Sequence, residues 1–191
     1  MNQSSRKRAL LHVKRAEGIA RRYFITNGFD GALTLLGLMV GFATSNDVAL
    51  PIAIKAGLGA AVALFMSGIS SAYLSETAER KKELRELEGA LLTDLSESDY
   101  GKASRYVPMV VALVNGLSPL IIALLILTPL WLAKSGIQLP VSPFIAAIIV
   151  ALIIIFLLGI MLGRLSKEFW LWTGLRTLAI AGLTILLISS F

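Results

Sequence analysis

A single aspartate, Asp30, stands among apolar and small residues in the stretch NGFDGALTLLGLMVGF, residues 27–42. If a membrane helix begins near Ile25, a rise of about 1.5 Å per residue sets this carboxylate roughly 7 Å inside the hydrocarbon layer. A charge at that depth is costly unless it is paired, hydrated or bound to a metal, so it marks a path for ions or protons. The segment also fits a second reading, in which TNGFDG is a loop and Asp30 caps a shorter helix by accepting backbone N–H bonds. Further along, Glu76, Glu79, Glu83 and Glu86 recur at intervals of three, four and three residues. That spacing stacks four carboxylates on one helix face, and hard divalent cations take oxygen ligands of this kind. Arg80 and Lys82 within the row allow the opposite outcome, a solvated face laced by Glu76–Arg80 and Glu79–Lys82 pairs. Met39, Met66, Met109 and Met161 add soft sulfurs that suit late transition metals or plain packing.

The elements that must hold these groups are membrane helices. Of the 191 residues, 56% are hydrophobic and 16% charged, which is more apolar than one soluble core can hide. Runs of about 20 apolar residues cross roughly 30 Å of hydrocarbon, and by that rule the chain has five spans, at 25–44, 52–75, 106–133, 140–163 and 173–191. The expected fold is an all-α integral membrane protein. Its regions are a basic segment at 1–24, two spans within 25–75, a charged segment at 76–105 that prolongs the second helix, and three spans within 106–191. Leu84, Leu87, Leu91 and Leu95 form a stripe on the charged segment that should bury against another helix or a partner subunit.

Charge placement sets the expected orientation. Lysines and arginines gather at 6–22, 80–105 and 164–176, leaving only Lys55 and Lys134 for the opposite side. Cytoplasmic loops retain such residues, so the N-terminus and the charged segment are expected in the cytoplasm and Phe191 at the far face. The net charge of +6 then reports topology, with no nucleic-acid partner implied. Residues 6–22 also fit a basic interfacial helix. With no cysteine and one histidine, His12, disulfides, Cys/His zinc sites and the usual serine–histidine triads lack their parts. No catalytic set is evident, so enzymatic chemistry is not expected. The first 24 residues lack the pattern of a cleaved signal peptide, so the chain is expected to keep its start at Met1.

Within the spans, small residues and prolines stand out. Gly37 and Gly41 form a GxxxG pair, and AGLGAAVALFMSGISSAYLS (56–75) is dense in Gly, Ala and Ser. Such residues let helices approach closely, either within one protomer or across a homodimer. The third span carries Pro108, Pro119 and Pro129, with Asn115, Gly116 and Ser118 before the middle proline. Each proline frees a carbonyl that a transported ion or a neighbouring side chain can use. The stretch LGIMLGRLSKEFWLWTGLRTL (158–178) turns at a membrane face, where Trp170 and Trp172 serve as interface anchors.

Asp30–Gly31 in the first span, AYLSETAE (72–79), GLSPLI (116–121), LGIMLGRL (158–165) and LRTLAIAGLTILLIS (175–189) together resemble the vacuolar iron transporter family, in order and over nearly the whole chain. The resemblance implies a five-span homodimer with a cytosolic N-terminus that moves ferrous iron or a related divalent ion such as manganese out of the cytosol, in exchange for protons. It assigns Asp30 to the first-span aspartate that ligates metal and Glu79 to the acidic position soon after the second span. The row Glu76, Glu79, Glu83 and Glu86 would stand for the metal-gathering helices. The metal is cargo, and no resident cofactor is implied. The chain departs from the family at Gly68, where a methionine is usual, and at Ala72, where a glutamate is usual; its charged segment is also shorter. Those departures fit an alternative of another class, a non-transporting membrane scaffold or regulatory subunit with the same fold.

Overall fold

The described residues form five helices: α1 Gln3–Thr44, α2 Leu50–Leu91, α3 Asp99–Lys134, α4 Pro143–Ser166 and α5 Trp170–Ser189. The computed structural model describes residues 3–45 and 48–190, with side chains from Gly18 onward. No strand occurs among the described residues. Each helix contains a stretch long and apolar enough to cross a membrane, which agrees with the expected all-α integral membrane fold. The side chains of the proposed interfacial face before Gly18, and Phe191, lie outside the described residues.

The helix ends follow from local chemistry. α1 and α2 each have 42 residues, about 63 Å of helix, roughly twice the hydrocarbon thickness. α1 therefore begins well before the expected span, and α2 continues past it to Leu91. The second helix stops at Leu92, which takes the left-handed conformation (φ 51°) and donates its N–H to Glu88 O. The Leu95 N–H donates to Glu88 Oε1 at 3.0 Å and the Ser96 N–H to Asp94 Oδ1 at 2.8 Å. The second bond holds the Asp94 carboxyl below its ordinary value of 3.8, because the amide favours the charged form. Ser98 then caps α3 by accepting from the Gly101 N–H at 3.1 Å, as serine does at helix starts. Pro143 opens α4 in the first turn, where its missing N–H costs nothing. The leucine stripe is only half covered: Leu84 and Leu95 are partly buried, whereas Leu87 and Leu91 are 39% and 58% exposed.

α3 lies at the centre, packed against α1, α2 and α4, while α5 packs on α4 and α1. Leu35, Leu36 and Met39 of α1 meet Ile126, Leu127 and Leu130 of α3 in a fully buried core that Ile155 of α4 closes. α3 stays helical through all three prolines; a side chain of the same helix takes up one of the freed carbonyls, and a second lies against α2. Pro129 leaves the Leu125 carbonyl without its helical donor, and the Thr128 hydroxyl donates to it at 2.7 Å. Pro119 leaves the Asn115 carbonyl, which abuts Gly68 of α2, where an added Cβ would sit 3.0 Å from that oxygen. On the other side of Pro119, Gly31 lets α1 approach, since a Cβ there would meet the proline Cα at 2.7 Å. The GxxxG pair divides: a Cβ at Gly37 would meet Ile188 of α5 at 3.1 Å, and one at Gly41 would meet nothing within 4 Å.

Candidate functional site

α1 is unbroken through Asn27–Gly31, so Asp30 sits in the interior of a long helix. The capping alternative falls, because a cap requires a non-helical residue at the first turn. Asp30 is exposed on the surface of the single chain, and so are Arg22, Thr26 and Thr34 at four-residue steps on the same face. Those steps draw one polar line along a membrane helix. The neighbouring Gly28, Gly31, Ala32 and Leu35 are buried, so packing on α3 fixes which way the polar line faces.

One turn before Asp30, a hydrogen-bonded knot ties three helices. The Asn27 side-chain amide donates to Asn115 Oδ1 and to the Tyr23 carbonyl, the latter at 3.2 Å. Asn115 Nδ2 donates to the Gly68 carbonyl at 2.8 Å, and the Ser118 hydroxyl donates to the Phe24 carbonyl at 2.5 Å. Asn115 and Ser118 are buried, and buried polar groups hold together only when they are paired. The knot therefore sets the relative height of α1, α2 and α3.

The glutamate row splits into an inner and an outer pair. Arg80 Nη1 lies 2.8 Å from Glu83 Oε2, and its Nη2 lies 3.4 Å from Glu76 Oε2. Tyr23 of α1 donates its hydroxyl to Glu76 Oε1 at 3.3 Å, and Tyr100 of α3 donates to Glu83 Oε2 at 3.1 Å. The side chains of Arg80, Glu76 and Glu83 are 14%, 12% and 28% exposed, so a guanidinium compensates two shielded carboxylates. The Arg80 Nε and the Thr77 hydroxyl are buried there with no hydrogen-bond partner. Glu79 points the other way and is exposed, and Glu86 Oε1 is 4.0 Å from Lys82 Nζ with both side chains two-thirds exposed. Such a surface pair contributes little.

The structure thus gathers Glu76 and Glu83 around Arg80 and leaves Glu79, Glu86 and Asp30 apart from them. Asp30 lies seven residues beyond Tyr23, about 10 Å along α1 from the level of Glu76. Among the described residues, no three His, Cys, Asp or Glu side chains converge as metal ligands within one chain. Met39 is buried in the core, and Met66, Met109 and Met161 are exposed. Tyr23, Tyr100 and Asn27, which sequence spacing did not single out, complete the networks. Their partners lie 53, 17 and 88 residues away, and helical periodicity does not reach that far.

Over 161 residues, 83% of this chain and 81% of the other, the protein is 32% identical to the uncharacterized protein MJ0645 of Methanocaldococcus jannaschii. The chain belongs to the MJ0645 family. No protein-family model matches it, and no solved structure matches it. In this MJ0645-family protein the α4–α5 turn carries a second polar cluster. The Arg176 guanidinium lies 5.5 Å above the Trp172 ring and 3.7 Å from Glu168 Oε2. Trp170 and Trp172 are exposed, as interface anchors are.

Proposed function

We propose that this protein is a membrane carrier for divalent metal cations, ferrous iron or manganese, that works as a homodimer and exports its cargo from the cytosol. The observation that carries the proposal is Asp30, an exposed carboxylate in the interior of a membrane helix, on a line with Arg22, Thr26 and Thr34. Facing lipid, a carboxylate costs about 3 kcal/mol on insertion scales. A second copy against the same face removes that cost and brings two Asp30 side chains towards one axis, because a two-fold contact is self-complementary. Exposed small residues on α2, Gly59, Ala63, Ser67, Ser71 and Ser75 at four-residue steps, support close helix contact between copies.

In this reading the N-terminus and the α2–α3 turn face the cytoplasm, as the distribution of Lys and Arg favours. The exposed carboxylates of Glu79 and Glu86 collect cations at that end, and Glu76 and Glu83 accept them in competition with Arg80. Asp30 takes the metal within the membrane and, as it does so, gives up to the cytosolic side a proton that it had taken from the other side, so that metal and proton cross in opposite directions. No resident cofactor takes part. The shielding of Glu76 and Glu83 by Arg80 favours a second reading, a non-transporting scaffold whose charged helix docks a partner.

Liposomes loaded with a metal-sensitive dye separate the two. Ferrous iron, manganese, cobalt and zinc are each presented with and without a pH gradient, to the native protein and to Asp30→Asn. A carrier shows uptake that the variant loses. Absence of flux for every ion from well-folded protein in both orientations overturns the proposal and leaves the scaffold.

A further inference from the structure

The Arg80 cluster holds two loose ends. Glu76 and Glu83 lie four residues before and three after Arg80, so its ion pairs of 3.4 and 2.8 Å stay within α2. Among the described residues no other lysine or arginine is within ion-pairing distance of either carboxylate. The guanidinium nevertheless keeps its Nε–H buried without an acceptor, and the Thr77 hydroxyl, three residues back on the same helix, is buried without a partner as well. Unpaired buried polar groups are costly and rare in folded proteins. Two of them within one turn point to a second arrangement of the arginine.

That arrangement has an acceptor ready on α3. Pro108 lies inside the helix and carries no N–H, so the Ser104 carbonyl lacks its helical donor; the Ser104 hydroxyl is bonded instead to the Gly101 carbonyl at 2.7 Å. Two bonds fix the level of this carbonyl on α2. Tyr100 meets Glu83 and Asn115 meets Gly68, so residues 100–115 of α3 run antiparallel to residues 83–68 of α2. The register sets the turn from Ser104 to Pro108 against the turn from Ser75 to Glu79, which contains Thr77. Pro108 is fully buried, so this turn of α3 faces inward. A long side chain on a helix leans towards the preceding turn, which for Arg80 holds both Glu76 and Thr77. Rotation about its last bonds carries the guanidinium from the carboxylates to the hydroxyl.

We infer that Arg80 has two seats: on Glu76 and Glu83 while these are charged and empty, and on the Thr77 hydroxyl and the Ser104 carbonyl once they are neutralised. In the carrier reading, on which this trigger rests, the neutralising charge is a divalent cation, whose repulsion drives the guanidinium off. The first seat binds α2 to itself, whereas the second ties α2 to α3 beside Pro108. Occupancy of the glutamates thus becomes a cross-link between two helices.

The test is a thermodynamic cycle on the full-length protein in mixed micelles, read from unfolding by a denaturing detergent. Glu76→Met with Glu83→Met removes both carboxylates at nearly constant length and sends Arg80 to its second seat without metal. In the native background Thr77→Val should leave stability unchanged or raise it, because a methyl group replaces an unpaired buried hydroxyl of the same shape. In the methionine background the same substitution should lower the folded-to-unfolded ratio about tenfold, since a hydrogen bond to a charged group is lost. Pro108→Ala, which gives the Ser104 carbonyl back a helical donor, should likewise be about tenfold less favourable in the methionine background than in the native one. Should the double variant fail to fold, Glu83→Met alone, which removes the closer contact, carries the comparison. Equal effects of Thr77→Val in both backgrounds overturn the inference and assign the two loose ends to a trapped water. Saturating manganese on the native glutamates should reproduce the methionine background. If the methionine pair reverses the effect of Thr77→Val and manganese does not, the two seats stand and the trigger taken from the carrier reading is overturned.

Discussion

Gly31 and Gly41 lie on the same helix, yet alanine should act on them with opposite sign. At Gly31 an added Cβ would meet Pro119 Cα at 2.7 Å, its Cβ at 2.9 Å and its carbonyl oxygen at 3.0 Å. These are mostly backbone atoms of the central helix, so no side-chain rotation relieves the clash. Restoring an ordinary separation of about 3.5 Å means parting α1 from α3 by roughly 0.8 Å, which forfeits a quarter to a half of each contact's attraction. Overpacking of this kind costs about 1–3 kcal/mol, and alanine recovers about 1 kcal/mol of helix propensity. The bonds from Ser118 to Phe24 and from Asn27 to Asn115 lie within a turn of the clash and lengthen with it, at about 1 kcal/mol between them. The net expectation for Gly31→Ala is a loss of about 2 kcal/mol, or a melting temperature lowered by roughly 4–8 °C in a chain of this size. Gly41 has nothing within 4 Å of such a Cβ, so Gly41→Ala should gain up to about 1 kcal/mol. Reversible unfolding in mixed micelles, followed by circular dichroism as the denaturing detergent rises, reads both. If the two substitutions shift the midpoint in the same direction by the same amount, the close approach of α1 to Pro119 is not what holds these helices together.

Arg80→Gln should cost about 2–3 kcal/mol, since it leaves Glu76 and Glu83 shielded and without a cation; adding Glu76→Gln should return part of that loss in the same unfolding assay. Asn115→Ala removes the group that joins Asn27 to the Gly68 carbonyl and should cost about 1–3 kcal/mol, with faster amide exchange near Gly68 on α2 and Asn27 on α1. In flux measurements Asp30→Asn should abolish divalent-cation uptake while the melting temperature stays within about 2 °C of the native value, because the exposed side chain makes no hydrogen bond or ion pair among the described residues.

Five spans were legible in the sequence because apolar length alone decides them. The break in the charged segment was less visible: the stripe of Leu84, Leu87, Leu91 and Leu95 continues a helical period across it, and the turn is set by Asp94, Ser96 and Ser98 instead. The early start of α1 was half legible: residues 6–22 fitted a basic helix, but a basic segment reads much the same whether it is a separate interfacial helix or, as here, continuous with the first span. At the site, the spacing of the glutamates correctly put them on a helix, but periodicity could not say which of them Arg80 would draw inward. Tyr23 and Tyr100, on two other helices, settle that choice. Asn27 and Asn115 are 88 residues apart, and nothing local announces that they meet. The notable exposure of Asp30 is a property of packing: Gly28 and Gly31 turn one side of α1 to α3, and the aspartate is left on the other.

The central place of α3 has a bearing on how the protein is made. α1 and α2 are synthesised first but share little surface with one another; α2 packs almost wholly against the third helix, and α1 packs on it more than on any other. At about 5–20 residues per second, the 43 residues from Leu91 to Lys134 take the ribosome roughly two to nine seconds. For that interval Asn27 and the Gly68 carbonyl stand in or near the bilayer without the side chain that later joins them. Productive assembly therefore waits for α3 to enter, and until then the first two helices need shelter from lipid or from one another's wrong faces. Substitutions that slow the entry of α3, such as a charge beside Pro119, should show their damage as nascent chains lost during insertion before any change in the finished protein can be measured.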